Sequence, residues 1–186
     1  MTGKSCSMII LAGGESRRMG TDKADLTQEG RTFLEIQIEK GSQLGIEDIL
    51  ISGYRGNRCP LPVMVDRLPG RGPLGGLETC LRAAKHPKCL VLSVDVPLIP
   101  VEELERLLAC SEGSRVTILK NHGREQPLIG VYDRTLADAM LRELTEAKGS
   151  VFAFLNKTGY SVYESTAPAT LFANVNDPEQ YRNIRK

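Results

Sequence analysis

The run Lys88–Val94, KCLVLSV, most limits how this chain can fold. It is the most continuous apolar stretch present, the pattern of a central parallel strand covered on both faces. The cover must come from helices, and helix-length amphipathic stretches alternate with short β-type runs along the chain. Val101, Leu104, Leu107 and Leu108 fall on one helical stripe, as do Leu136, Met140 and Leu144. Met8 to Ala12 reads as a buried strand ending in a glycine loop. Thr32-Phe33-Leu34-Glu35 reads as a capping box for a helix that runs to about Leu44 and stops at Gly45. Further strands are expected at Asp48–Ser52 (DILIS), Pro62–Asp66 (PVMVD), Arg115–Leu119 and Pro127–Tyr132, with weaker ones at Ser161–Tyr163 and Leu171–Val175. A helix is expected over 74–85 after GRGP, and a last short one from Pro178, a residue suited to a first helical turn. Phe152, Phe154 and Leu155 are assigned to the core. The order βαβ-β-αβα-ββ-α-ββ-α predicts an α/β fold, a mostly parallel sheet with helices on both faces. With no internal repeat, low-complexity tract or linker, residues 1–186 read as one domain.

A net charge of +1 leaves no global field to gather nucleic acid or anionic lipid, so any anion site must be local. The five cysteines, Cys6, Cys59, Cys80, Cys89 and Cys110, are odd in number and show no CxxC spacing. Reduced thiols fit better than a disulfide framework or a zinc site. The four strongly apolar residues Met8–Leu11 are too few for a signal-peptide core, and no run approaches the ~20 residues of a membrane span. The expected location is cytoplasmic, with neither nucleic acid nor membrane as partner.

Four polar clusters fall where the strands of an open α/β sheet end, the usual place for ligands. The first is LAGGESRRMGTDK, residues 11–23. Gly13 and Gly14 let the backbone approach an anionic or flat group, and Arg17, Arg18 and Lys23 add charge that could clamp a polyphosphate. The loop is not a P-loop, because five residues separate Gly14 from Gly20, and it holds no GxGxxG run. A glycine turn with solvated basic residues is the competing reading.

The second cluster is SVDVP, residues 93–97, with Asp95 closing the most buried strand. Such a carboxylate can hold a hard cation such as Mg²⁺ beside phosphates and water, or else cap a helix; the next helix begins nearer Val101, which weakens the capping role. The third is Asp66, again ending a strand and followed by the basic glycine loop Gly70–Gly76 opening a helix, whose N-terminus favours anions. The fourth is Asn174-Val175-Asn176-Asp177-Pro178, where strand alternation would put both asparagines on one side, or an Asx turn would cap the last helix. His86 and His122 stand alone, and no G-x-S-x-G elbow supports a serine nucleophile.

Taken together, LAGG, RRMG, Asp22-Lys23, GPLGGL at 72–77, DVP at 95–97, PLIGVY at 127–132 and NVND near the end resemble the molybdenum cofactor guanylyltransferases, in that family's order over almost the whole chain. The resemblance implies a Rossmann-like nucleotidyltransferase that joins GMP from GTP to the phosphate of Mo-molybdopterin, releasing pyrophosphate, with Mg²⁺ required. By position it implies that Leu11, Ala12, Gly13 and Asp66 contact the nucleotide, that Lys23 and Arg18 act at its phosphates, and that Asp95 holds nucleotide and Mg²⁺. The segments containing Pro127, Asn174 and Asn176 would line the pterin side. Cofactor-delivery or acceptor proteins are partners such a reaction leaves room for. One position departs from the family: Ser52 stands where an asparagine often ends the second strand, and a serine cannot offer both amide donor and carbonyl acceptor.

The residues agree with such chemistry. Attack at an α-phosphate puts charge on a pyrophosphate leaving group, which cations and positioning can stabilise without a protein nucleophile. The attacking phosphate oxygen is already ionised near neutral pH, so no general base is required. Rival readings are a cytidylyltransferase on the same cofactor, whose relatives more typically read LAAG, a sugar-phosphate nucleotidyltransferase, usually longer, and a nucleotide-binding module without turnover.

Overall fold

A computed structural model describes residues 5–13, 22–56, 59–146 and 149–184. Strand β1 (Cys6–Leu11) is buried along its whole length and is flanked in parallel by β4 (Asp48–Ser52) and β6 (Lys88–Ser93). With β5 (Val63–Met64), β7 (Val116–Asn121), β8 (Arg124–Asp133) and β9 (Ser161–Ser165), they form one seven-stranded sheet in the order β5-β4-β1-β6-β8-β7-β9. Within this sheet only β8 runs antiparallel to its neighbours, and β2 (Thr27–Gln28) and β3 (Arg31–Thr32) form a separate antiparallel pair. Strand β8 pairs with β7 through a two-residue turn at His122-Gly123, both with positive φ, the geometry that matches strand twist in a tight hairpin. That turn accounts for His122.

Alternation along the central strands sorts the core into two layers. Met8, Ile10, Leu90 and Leu92 pack with Phe33 and Leu34 of α1 (Phe33–Gln43) and Leu104, Leu107 and Leu108 of α3 (Val101–Cys110). Ile9, Leu11, Cys89 and Val91 face the other way, onto α2 (Gly72–Ala83), α4 (Ala137–Glu146) and α5 (Val151–Thr158). The capping box opens α1 as expected: the Thr32 hydroxyl accepts from Glu35 N–H, and the Glu35 carboxylate accepts from Thr32 N–H.

The structure corrects four expectations. Leu171–Val175 is not a strand; a 3₁₀ turn over Ala169–Phe172 leads into an extended segment whose Val175 N–H donates to the carbonyl of Asp95 instead of to a sheet neighbour. Phe172 and Val175 are spaced to plug the core, not to alternate across a sheet. PVMVD contributes only Val63 and Met64 at the sheet edge, and Val65 is 85% exposed. Phe152 lies outside the core, because it sits on the outer face of α5 while Val151, Phe154 and Leu155 turn inward. Finally, α5 was not foreseen as a helix, although Ser150 caps it through Ala153 N–H. The last helix, α6 (Pro178–Ile184), begins at the expected proline.

Candidate functional site

The parallel strands β1, β4 and β6 end side by side, so the segments leaving them share one edge of the sheet. Their ladder continues past the strands: Ala12 N–H donates to the Ser52 carbonyl at 2.9 Å, and Val94 N–H to the Leu11 carbonyl at 3.0 Å. The loops leaving β1 and β4 touch backbone to backbone. A Cβ on Gly53, which has φ +80°, would lie 2.4 Å from Gly13 Cα. Gly13 thus answers a packing demand from the neighbouring loop as well as any demand from a ligand.

Beside this contact lies a cavity of about 370 Å³ lined by Leu11, Gly13, Ser52, Gly53, Asp66 and Gly76, among others. Ser52 Oγ donates to Asp66 Oδ1 at 2.8 Å, joining the end of β4 to Asp66, which stands in the loop two residues past β5 and not at the strand end expected. The loop beyond Asp66 is tied to α2 by Arg67 N–H donating to Thr79 Oγ1 at 3.0 Å. Gly76 is needed where it stands, because a Cβ there would lie 2.3 Å from Ser52 Oγ. Leu11, Gly13 and Asp66, all expected to contact nucleotide, therefore meet in one cavity, together with Ser52. Ala12 is nearly buried behind them. Arg55, Gly70, Gly72 and Pro73 complete the wall. Sequence reading named the glycine loop before α2 but did not join it to Ser52, and it passed over Arg55, for which a basic residue just past a strand end was the signal.

A second cluster forms on the β6 side of the same edge. Lys23 follows Asp22, whose carboxylate accepts from Ala24 N–H and so holds a 3₁₀ turn over Lys23–Asp25. Lys23 Nζ lies 3.5 Å from Asp95 Oδ2 and donates to Asn176 Oδ1 at 2.5 Å. Asp95 Oδ1 accepts from Ser93 Oγ at 2.6 Å. Tyr54 Oη donates to Asp25 Oδ1, and Tyr181 Oη bonds the backbone of Thr27, so the β4 loop and α6 both anchor the lysine segment.

Asn174 and Asn176 line one cavity of about 430 Å³, and the buried Oδ1 of Asn174 has no partner there among the described residues. Pro127 does not join them. It lines a smaller cavity of about 220 Å³ with Leu74, Leu128, Val151 and Phe152, which shares Pro73 with the Ser52–Asp66 cavity. Gly14, Arg17 and Arg18 lie outside the described residues.

Among the described residues no three His, Cys, Asp or Glu side chains converge as a ready-made metal cage. A partly exposed carboxylate beside a neutral oxygen, with Lys23 already drawn to both, fits a cation that takes one or two protein oxygens and completes its shell with phosphates and water. Buried thiols offer no alternative nucleophile: burial pushes Cys6 up to about 11 and Cys80 up to about 12.

Comparison with known proteins matches residues 8–160 to the MobA-like NTP transferase domain. The probable molybdenum cofactor guanylyltransferase of Carboxydothermus hydrogenoformans is 30% identical, covering 98% of this chain and 96% of its own. That of Pelotomaculum thermopropionicum is 34% identical, covering 95% and 90%. Among solved structures, molybdopterin-guanine dinucleotide biosynthesis protein A from Archaeoglobus fulgidus superposes with a TM-score of 0.79 at 22% identity, covering 96% of each chain. A nucleotidyl transferase from Methanothermobacter thermautotroptrophicus gives 0.77 at 19% identity, covering 97% of this chain and 95% of its own. The sheet order, the clustered strand-end residues and these matches agree: the chain is a nucleotidyltransferase and belongs to the MobA-like NTP transferase family.

Proposed function

We propose that this chain, acting as a single nucleotidyltransferase domain, transfers GMP from GTP to the phosphate of Mo-molybdopterin and releases pyrophosphate. The observation that carries the reading is the meeting of Lys23, Asp95 and Asn176 at one strand edge, next to the cavity that holds Ser52 and Asp66. The full-length relatives named for that activity support the substrate pair.

In this reading the glycine-lined cavity takes the nucleoside. Leu11 and Gly13 lie against the nucleotide, and the Asp66 carboxylate, steadied by the Ser52 hydroxyl, accepts hydrogen bonds from it. The short Ser52 side chain gives up the amide contacts an asparagine would offer, and its hydroxyl serves to orient Asp66 instead. Lys23 exchanges its contact with Asp95 for the triphosphate, where its charge offsets the negative charge that grows on the leaving pyrophosphate. Arg18 assists at the same phosphates. Asp95 would hold Mg²⁺, which would supply further positive charge against the triphosphate. The acceptor phosphate oxygen forms the new bond to the α-phosphorus as the bond to the bridging oxygen breaks, and that bond's electron pair leaves with pyrophosphate. Asn174 and Asn176 offer amide groups to the pterin side, and Pro127 lines a separate cavity beside Leu74 of α2.

A panel of the four common nucleoside triphosphates with Mo-molybdopterin and Mg²⁺ tests the reading. Pyrophosphate release with GTP, and little with CTP, is expected. Equal rates with both would remove the guanine assignment, and no release with any would remove the activity.

A further inference from the structure

The turn that carries Asp95 is held from outside the sheet by two polar side chains of α1. Gln37 is fully buried, and its Nε2 donates to the carbonyl of Ser93 at 3.2 Å and to that of Val96 at 3.1 Å. One helical turn later Lys40, only 7% exposed, donates from Nζ to the Pro97 carbonyl at 2.7 Å and to Gln37 Oε1 at 3.2 Å. Carbonyls on both sides of Asp95 are thus gripped by a connected pair. The Asp95 carbonyl is taken from a third direction by Val175 N–H at 2.8 Å.

A lysine in this position is costly. Removing an ammonium from water without a counter-charge is unfavourable, and Lys40 makes no ion pair among the described residues. Burial accordingly pushes its pKa down to about 7. A methionine would fill the space without that cost, so packing does not explain the residue. Its three donors do: the turn exposes carbonyls that the sheet cannot satisfy, and the amine donates whether or not it is charged.

We propose that Gln37 and Lys40 are positioning residues for nucleotidyl transfer, locking the 93–97 turn so that the Asp95 carboxylate keeps one orientation toward the magnesium-bound triphosphate. The inference rests on the role given to Asp95 above. It predicts that the pair governs metal affinity and turnover more than nucleotide affinity, since neither side chain lines the Ser52–Asp66 cavity.

The test uses Gln37→Met and Lys40→Met, which keep side-chain volume and remove the donors. Amide hydrogen exchange in the peptide containing Val94, Asp95 and Val96 is expected to rise about tenfold, with β1 unchanged. The Mg²⁺ concentration for half-maximal pyrophosphate release should rise about tenfold, as for other residues that orient a metal ligand, while KM for GTP at saturating Mg²⁺ stays within about twofold. Because Lys40 also bonds Gln37, the double variant should lose less than the product of the single effects. If one variant fails to fold, the other answers alone. Wild-type exchange and wild-type metal dependence in a folded variant would overturn the proposal. Asp95→Asn, measured alongside, separates the two levels. Normal turnover there would remove the metal role of Asp95 itself, whereas its loss beside wild-type behaviour in both α1 variants would remove only the positioning role.

Discussion

The ammonium of Lys23 and the carboxylate of Asp95 stand 3.5 Å apart although they lie 72 positions apart in the chain, and Asn176 takes the same ammonium from a third segment. Both charged side chains are mostly shielded, at 18% and 16% exposure. A lysine held this way balances the charge of the carboxylate beside it.

Asp95→Asn should leave the fold intact, since Asp95 meets β6 and the C-terminal segment through Ser93 and its own carbonyl. Turnover should fall about a hundredfold or more, the scale on which removing one electrostatic contributor at a reacting phosphate acts. Circular dichroism and pyrophosphate release measure the two halves of this expectation, and near-normal turnover would end the metal role.

Lys23→Ala is expected to raise KM for GTP and lower kcat, with a loss of stability of about 1–3 kcal/mol, the scale of one hydrogen bond to a charged group. A thermal melt beside a GTP titration distinguishes the cases. A large drop in melting temperature with unchanged kinetics would make the lysine a structural residue.

Gly53→Ala should be among the most damaging single-methyl changes in the chain. Its Cβ would meet the Gly13 backbone at 2.4 Å, and φ +80° disfavours any side chain there. A loss of about 2–4 kcal/mol is expected from strain and overpacking combined, read from urea unfolding. Gly76→Ala differs in kind: its methyl meets the Ser52 hydroxyl at 2.3 Å, so the side chain must rotate away from Asp66. KM for nucleotide should rise, and adding Ser52→Gly to Gly76→Ala should relieve the stability defect without restoring KM.

Stability should rise with pH through the neutral range, and Lys40 supplies the sign. Its folded pKa of about 7 lies below the ordinary 10.5, so between those values the unfolded chain binds the extra proton and the folded state gains as pH increases. Below pH 7 the lysine must stay charged while buried, and the full cost applies. Lys40 lines one surface cavity with Glu29, Arg31 and Glu39, and Glu39 is paired with Arg31. Comparing urea midpoints at pH 6 and pH 9, wild type should gain more than Lys40→Met. An equal gain in both would assign the pH dependence to other groups.

Local chemistry was legible wherever a residue's role is set by its own neighbours in sequence. The Thr32–Glu35 box, the strand DILIS, the stripe of α3 and the proline that opens α6 all stand as their patterns require. The asparagine segment shows the limit of such reading. Asn174 and Asn176 do line one cavity, but the strand expected to present them is absent, and a bond from Val175 to the Asp95 turn holds them instead.

By itself the sequence determined the periods, the caps, the buried centre of the sheet and which polar residues gather in its loops, since these depend on side-chain type and spacing alone. Only the tertiary structure decided which of them meet. Lys23 with Asp95, Ser52 with Asp66, and Gly13 against Gly53 follow from β5, β4, β1 and β6 lying next to one another in register. Gln37 and Lys40 would pass for a solvated helix face in any one-dimensional reading. They are core residues because the turn after β6 leaves carbonyls that need donors, a demand that exists only once strand and helix are packed together.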